Sequence, residues 1–245
     1  MDNPNGACLV IGAGDDTGAA IARAFAREGL TACVVRRDRH AEALETLAAS
    51  IRDEGCQARA FPADARDEAE MRALVEKIED EIGPIEVAVF NIGANVRFGI
   101  NETTSRVYRK VWEMGCFAGF LMGREVAARM LPRARGTIIF TGASASVRGG
   151  SGFAAFSGAK HALRALAQSM ARELGPRNIH VAHTVIDGAI DSTFIRENVP
   201  DVDRMREEDR ILNPDDIAAN YVHLHKQPRT AWTHELDLRP WKETW

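Results

Sequence analysis

IGAGDDTGAAIARAF, residues 11–25, places Gly12, Gly14 and Gly18 directly after the apolar run ACLVIG at 7–12. Its second half spaces alanine and isoleucine as a helix does, so the stretch reads as strand, glycine turn, helix. Glycine suits a backbone that must turn tightly and come close to a pyrophosphate, while the helix N-terminus offers unpaired N–H groups to the anion. A glycine string alone is a weak signal. Placed between the first strand and first helix of an alternating chain, it is stronger.

The alternation continues outward. Segments 31–36 (TACVVR), 58–61, 85–91 (IEVAVFN), 137–141 (TIIFT) and 180–186 (HVAHTVI) have the length and the valine and isoleucine content of buried strands. Between them, 17–28, 41–53, 68–82, 105–131 and 153–174 carry apolar residues at helical spacing. Right-handed crossovers then require a parallel sheet with helices on both faces. The expected fold is α/β, a Rossmann-type doubly wound parallel sheet in three layers, forming a single domain over 1–245. Gly29, Gly55, Gly83 and Gly175 mark helix ends, with Pro84 and Pro176 directly after two of them. Past Ile186 the rhythm breaks. Residues 191–213 are polar and long for a connector, which reads as a substrate lid. A last helix starts at Pro214, capped by Asn213, with Asp215 and Asp216 in its first turn. Residues 232–245 (WTHELDLRPWKETW) end the chain with a final strand and a tryptophan-rich tail.

Composition narrows the function classes. The 245 residues carry 31 basic and 35 acidic side chains, a formal net charge of −4, so neither nucleic acid nor an anionic membrane is expected as partner. No run approaches the roughly 20 apolar residues of a membrane-spanning helix. The opening MDNPNGACLVIG lacks the basic start and long apolar stretch of a signal peptide. Cys8, Cys33, Cys56 and Cys116 are too far apart for a CxxC pair or a compact zinc site. The apolar surroundings of Cys8 and Cys33 fit buried thiols in a reducing cytosol. A soluble cytoplasmic protein is expected. No metal is expected either, because His161, His180, His183, His223 and His225 show no acid at ligand spacing. His180 and His183, three apart on a strand, should face opposite sides of the sheet.

Taken together, these motifs resemble the short-chain dehydrogenase/reductase family over nearly the whole chain. Gly12 and Gly18 stand at the first and last glycines of its TGxxxGxG motif, and Asp64 in PADARD at its aspartate after the third strand. Asn91 and Gly93 in FNIGA match its NNAG motif, and Lys160 in FSGAK matches the lysine of YxxxK. Asp187 and Gly188 stand where the family has Pro–Gly, and Ser192 takes the place of its threonine. The resemblance implies NAD(P)-dependent oxidoreduction of a small carbonyl or alcohol. It assigns the cofactor to Gly12, Gly14, Asp16, Thr17, Gly18, Asp64, Ala65, Asn91, Gly93, Lys160, Gly188, Ile190 and Ser192. Asp64 would meet the adenine and Lys160 the nicotinamide ribose.

At the tip of the second strand stand Arg36 and Arg37, with no acid. A cation there suits the 2′-phosphate of NADP, an acid the free 2′-hydroxyl of NAD. NADP(H) is therefore favoured over NAD, the plainer alternative being a solvated charge pair. Asp16, next to Asp15, replaces the motif's middle glycine. A carboxylate about 6 Å from a phosphate charge costs ~3 kcal/mol at an effective dielectric of about 20. Either Asp16 turns outward, or it weakens cofactor binding, or the acid pair simply stabilises the helix N-terminus.

The catalytic end departs from the family. Counting from Lys160, the family's tyrosine is Phe156, its serine is Ala143 and its helix asparagine is Gly115. A positioned acid is worth about 10²–10⁴ in rate and an oxyanion donor about 10²–10³, although such losses are rarely additive. Ser144 or Ser146, just past the lost serine, and Ser157, one helical turn before Lys160, are substitute hydroxyls. The catalytic candidates are thus Lys160, Ser144 and Ser157. Asp187 offers a carboxylate as proton relay or substrate anchor, and each of these substitutes also reads plainly as a loop hydroxyl or turn-forming acid.

Arg97, Phe98, Trp112, Phe117, Phe153 and Phe156 are expected to line the mouth of the site. Arg148 either receives an acidic substrate or is a solvated loop charge. Hydride transfer to an activated alkene would demand less of a proton donor. The rival to an oxidoreductase is a catalytically silent dinucleotide-binding or scaffold protein. The family pairs helices equivalent to 105–131 and 153–174 across a two-fold axis, which implies a homodimer or homotetramer. Trp241 and Trp245 in the tail either cover a neighbour or pack beneath the last helix.

Overall fold

The computed structural model describes residues 6–14 and 16–243, so the expectations placed on residues 1–5, Asp15 and Trp245 fall outside it. Seven strands form one sheet: β1 (Ala7–Ile11), β2 (Thr31–Arg36), β3 (Ala58–Pro62), β4 (Ile85–Phe90), β5 (Thr137–Thr141), β6 (His180–Ile186) and β7 (Glu235–Leu238). Their order is β3-β2-β1-β4-β5-β6-β7, and every pairing is parallel. Helices α1 (Thr17–Arg27), α2 (Ala41–Asp53), α3 (Glu68–Glu81), α4 (Ser105–Trp112), α5 (Ala118–Met130) and α6 (Ala154–Leu174) connect the strands. After β6 come α7 (Thr193–Asn198), α8 (Val202–Glu207) and α9 (Pro214–Lys226). The chain order reverses between β1 and β4, and ligands of such sheets bind in the crevice beyond the carboxyl ends of the strands there.

Successive strand residues enter different cores. Leu9, Ile11, Val35, Phe90 and Phe140 pack with Met71, Leu121 and Leu163 on one face. Cys8, Val10, Val34, Val89 and Ile139 pack with Phe25, Leu44 and Tyr221 on the other. A doubly covered strand needs apolar residues at every position, which is why these segments read as continuous apolar runs. Cys8 and Cys33 fall in opposite cores, and burial pushes the Cys33 thiol up to about 12. Cys56 is only partly buried, unlike the other three.

Two local expectations are corrected. Gly29, Gly55 and Gly83 adopt positive φ, but Gly175 does not (φ −54). Pro176 suits one more helical turn, so the reversal moves to Asn178 (φ 64), whose amide donates to Ala134 O at 2.7 Å. The helix expected over 105–131 is interrupted by a π turn at Glu113–Phe117. Gly115 lies within it, and a β-carbon there would stand 3.1 Å from Ala159 Cβ on α6. Residues 191–213, expected as a lid-like connector, carry regular structure. They contain α7 and α8, and their base is pinned by an Ile190–Leu212 bridge and an Asp191 N–H to Leu212 O bond of 2.9 Å. Asn213 does cap α9, its Oδ1 accepting from Asp215 N at 2.9 Å.

The opening turn is tightly packed backbone against backbone. A β-carbon on Gly18 would stand 2.5 Å from Gly12 O and 2.7 Å from Ala13 Cα, both backbone atoms. Gly18→Ala should therefore cost about 1–3 kcal/mol by overpacking. A thermal melt should show this as a fall of roughly 2–4 °C per kcal/mol, whereas an unchanged Tm would mean that the turn opens freely.

Candidate active site

Two adjoining cavities share Asn91, Ile92 and Gly93 and together make a groove along the carboxyl ends of the strands. The first, about 400 Å³, is bordered by Gly12, Gly14, Arg36, Arg37, Asp64 and Ala65. The second, about 630 Å³, is bordered by Thr17, Lys160, Gly188, Ile190 and Ser192. Of the residues expected at a cofactor, Gly18 and Asp16 lie on neither wall. Gly18 serves the close packing of α1 on the turn. Asp16 points to the 191–213 segment, its Oδ1 accepting from Thr193 N (2.9 Å) and Thr193 Oγ1 (3.1 Å). The carboxylate is thus engaged by the segment after β6.

Backbone bonds hold the groove floor. Asn91 N–H donates to Ile11 O at 2.8 Å, and Asn91 Nδ2 to Gly12 O at 3.2 Å, so β4 fixes the glycine turn. At the outer end, Arg39 and His40 from the turn after β2, and Arg66, join Arg36 and Arg37. These three were missed, although the run RRDRH and the second arginine-bearing motif PADARD carried the signal. Burial, then crowding by Arg39 and Arg66, pushes the Arg37 guanidinium below its usual value. Asp64 borders this end, but its carboxylate accepts from Arg66 N (3.1 Å) and Arg66 Nε (2.9 Å), which hold it below the usual carboxylate range.

At the inner end, α6 presents three residues in one turn. Lys160 is 2% exposed, and its Nζ donates to Thr141 O (2.8 Å) and Ile92 O (3.0 Å). Burial pushes its ammonium down to about 8. The Phe156 ring centroid lies 5.9 Å from Nζ, and no phenol stands there. Ser157 borders the cavity with its Oγ buried and without a hydrogen-bond partner. Its hydroxyl is therefore available to a polar group placed in the cavity. Ser144 and Ala143 also border the cavity.

Other expectations fail here. Ser146 is fully buried off the cavity, and its Oγ accepts from Ala143 N at 3.1 Å, serving the turn. Asp187 is also off the wall. Its carboxylate is buried between Arg148 (2.7 Å) and Arg239 (3.5 Å), so ion pairing directs it away from the groove. Arg148 is therefore not a merely solvated charge. Of the six mouth residues expected, only Phe153 and Phe156 border the cavity. Arg97 lies over the Phe153 ring at 5.8 Å, and Phe98 is largely exposed. Trp112 and Phe117 stack at 5.9 Å, and Phe117 on Phe120 at 6.1 Å, because their spacing across the π turn keeps them on one outer face. Phe194 and Ile195 of α7 border the cavity instead, which a polar connector did not advertise.

The histidines are structural neighbours of strands. His180 stacks on Trp232 at 4.8 Å, and His183 sits on the opposite face with Glu235. Among the described residues, no group of three or more histidine, cysteine, aspartate or glutamate side chains gathers to hold a metal. Nor is any described helix long and apolar enough to cross a membrane.

A seven-stranded parallel sheet with a glycine turn, an opposed lysine and a groove between them defines a dinucleotide-type α/β oxidoreductase architecture. The profile of the short chain dehydrogenase family matches residues 7–203, and the chain belongs to that family of NAD(P)-dependent oxidoreductases. It is similar to a solved short-chain dehydrogenase from Rhodopseudomonas palustris, at 48% identity and a TM-score of 0.82, covering 97% of this chain and 99% of that one. Among curated relatives, it is 30% identical to the uncharacterized oxidoreductase YxjF of Bacillus subtilis, over 81% of this chain and 76% of the relative. It is 31% identical to the 2,3-dihydro-2,3-dihydroxybenzoate dehydrogenase of the same organism, over 70% of this chain and 65% of the relative.

Proposed function

We propose that this chain is an NADP(H)-preferring oxidoreductase acting on a small carbonyl or alcohol. The observation that carries the reading is the continuous groove running from an arginine cluster, past side-chain-free backbone at Gly12 and Gly14, to a buried lysine. The residues present fit a dinucleotide along this length. Gly12, Gly14 and the first turn of α1 would face the phosphates, with Thr17 beside them. Ala65 and Asp64 would flank the adenine, and Gly93, Gly188, Ile190 and Ser192 the nicotinamide half. Arg39, Arg66 and Arg36 crowd the Arg37 guanidinium, and a dianionic 2′-phosphate would relieve that repulsion, which favours NADP(H) over NAD(H).

When bound, the reduced nicotinamide supplies a hydride. Lys160 would hold the ribose through the ammonium proton left after its two carbonyl bonds. Ser157, with Ser144 across the cavity, would carry the proton toward the forming alkoxide, since Phe156 has none to give. The segment 191–213 would close over the substrate through Phe194 and Ile195. The relative named for 2,3-dihydro-2,3-dihydroxybenzoate supports an alcohol-bearing ring as one substrate type. The exposed stack of Trp112, Phe117 and Phe120 supports assembly with a second copy as homodimer or homotetramer. A cytoplasmic location accords with the buried free thiols.

The second reading, a silent dinucleotide-binding protein, is favoured by Phe156, Ala143 and Gly115 standing where the family's tyrosine, serine and asparagine belong. Calorimetric titration with NADPH and NADH tests the cofactor. NADPH should bind about 10- to 100-fold tighter, and Arg36→Ala with Arg37→Ala should erase that margin. Equal affinities in the parent protein would refute the NADP(H) preference. Single-turnover oxidation of bound NADPH by mixed aldehydes and ketones then separates the two readings.

A further inference from the structure

We propose that the inner cavity takes a substrate bearing a carboxylate, or an equivalent oxyanion, on an apolar body, and that Arg148 is its receptor. The inference deepens the oxidoreductase reading and rests on it for the word substrate; the ligand chemistry rests on the cavity alone. Among the described residues, no aspartate or glutamate borders this cavity, whereas two cations do, Arg148 and Lys160. Lys160 is consumed by two backbone carbonyls and lies at the closed end. Arg148 is the charged side chain left for the outer part of the space.

Its pairing with Asp187 fixes the guanidinium rather than removing it. Asp187 is 3% exposed and shared with Arg239, which is itself paired with Asp237, so this carboxylate cannot swing into the groove. The two bonds from Arg148, at 2.7 and 3.3 Å, engage two of its five N–H donors. The Arg148 side chain remains 49% exposed and borders the cavity together with Gly149 and Gly150, which add no side chain to that wall. A planar guanidinium held by a buried acid, on a side chain that borders the cavity and keeps three N–H donors unused by that acid, is suited to a second carboxylate. The other walls, Phe153, Phe156, Phe194, Ile190 and Ile195, accept an aromatic or branched apolar body. A neutral sugar or polyol would leave these apolar walls unmatched.

The test uses benzoate and its neutral isostere benzamide, titrated into the full chain by calorimetry. 2′,5′-ADP is present to occupy the Arg36, Arg37 and Arg39 end. Benzoate should bind at least tenfold tighter than benzamide. Arg148→Met with Asp187→Asn, which removes the charge pair without stranding a buried acid, should abolish that preference while benzamide binding persists. Asp187→Asn alone should strengthen benzoate binding, and this keeps the test decisive if the double variant does not fold. Equal affinity for the two probes, binding of neither, or a preference that survives loss of Arg148 overturns the proposal. If 2′,5′-ADP itself does not bind, the cofactor reading fails, while the dependence of benzoate on Arg148 is still read directly.

Discussion

Phe156→Tyr combined with Ala143→Ser is expected to raise the single-turnover rate of carbonyl reduction by about 10²–10⁴. The tyrosine would add one oxygen to a ring that already borders the cavity 5.9 Å from the Lys160 ammonium. A cation so placed lowers a phenol's pKa, which makes it a competent proton donor near neutrality. The serine would place a hydroxyl on the opposite wall, where Ala143 borders the same space. The measurement is NADPH oxidation under single-turnover conditions, parent against variant, with one aldehyde. A large gain shows a cavity arranged for hydride transfer and lacking only its acid. No gain, with the parent already active, points to Ser157 as a sufficient donor, and Ser157→Ala should then abolish turnover.

The second large effect concerns acid stability. His183 is fully buried, and its Nδ1 lies 3.1 Å from Glu235 Oε2. Glu235 is itself gripped by Arg164 at 2.6 and 2.7 Å. An ionised carboxylate only accepts, so Nδ1 carries the proton, and Nε2 is buried without a partner. Burial pushes the imidazole down to about 4 from its ordinary 6.5, with Lys160 and Arg164 adding to the effect and Glu235 opposing it. The unfolded chain takes up a proton below about 6.5 that the folded chain refuses until about 4. Stability is therefore complete above that window and is lost as pH falls through it, by about 3 kcal/mol in full. His180 and His225 are also pushed down by burial and act in the same direction. Urea unfolding at pH 7.5 and 4.5 should show His183→Gln losing about 2–3 kcal/mol less than the parent. Parallel losses in both proteins would mean that His183 is already charged in the fold.

The strands and long helices were legible because their signals are local. A strand covered on both faces must be apolar throughout, and a helix covered on one must be apolar every third or fourth residue. Helices α7 and α8 were not legible, being six residues each with no apolar period. Distant charges organise them. Asp191 is bound by Arg196 and Arg206, which hold it at about 2, and this knits the segment together. The candidate site divides in the same way. The glycine turn and the arginines at the tip of β2 could be placed from the strand–turn–helix pattern, and Lys160 from the family motif it resembles. The pairing of Arg148 with Asp187, 39 positions apart, and of His183 with Glu235, 52 apart, depends on which strand lies beside which. The mouth aromatics misled because an outer helix face and a cavity wall make the same demand on sequence.

Asp16 has a consequence for how the groove is entered. Where a glycine would leave plain backbone, this carboxylate moors the amide and hydroxyl of Thr193, 177 positions downstream. The segment that borders the inner cavity through Ser192, Phe194 and Ile195 is thereby tied to the turn that opens α1. Removing that one carboxylate, as in Asp16→Gly, would leave the two halves of the chain without this tie at the seam between the cavities.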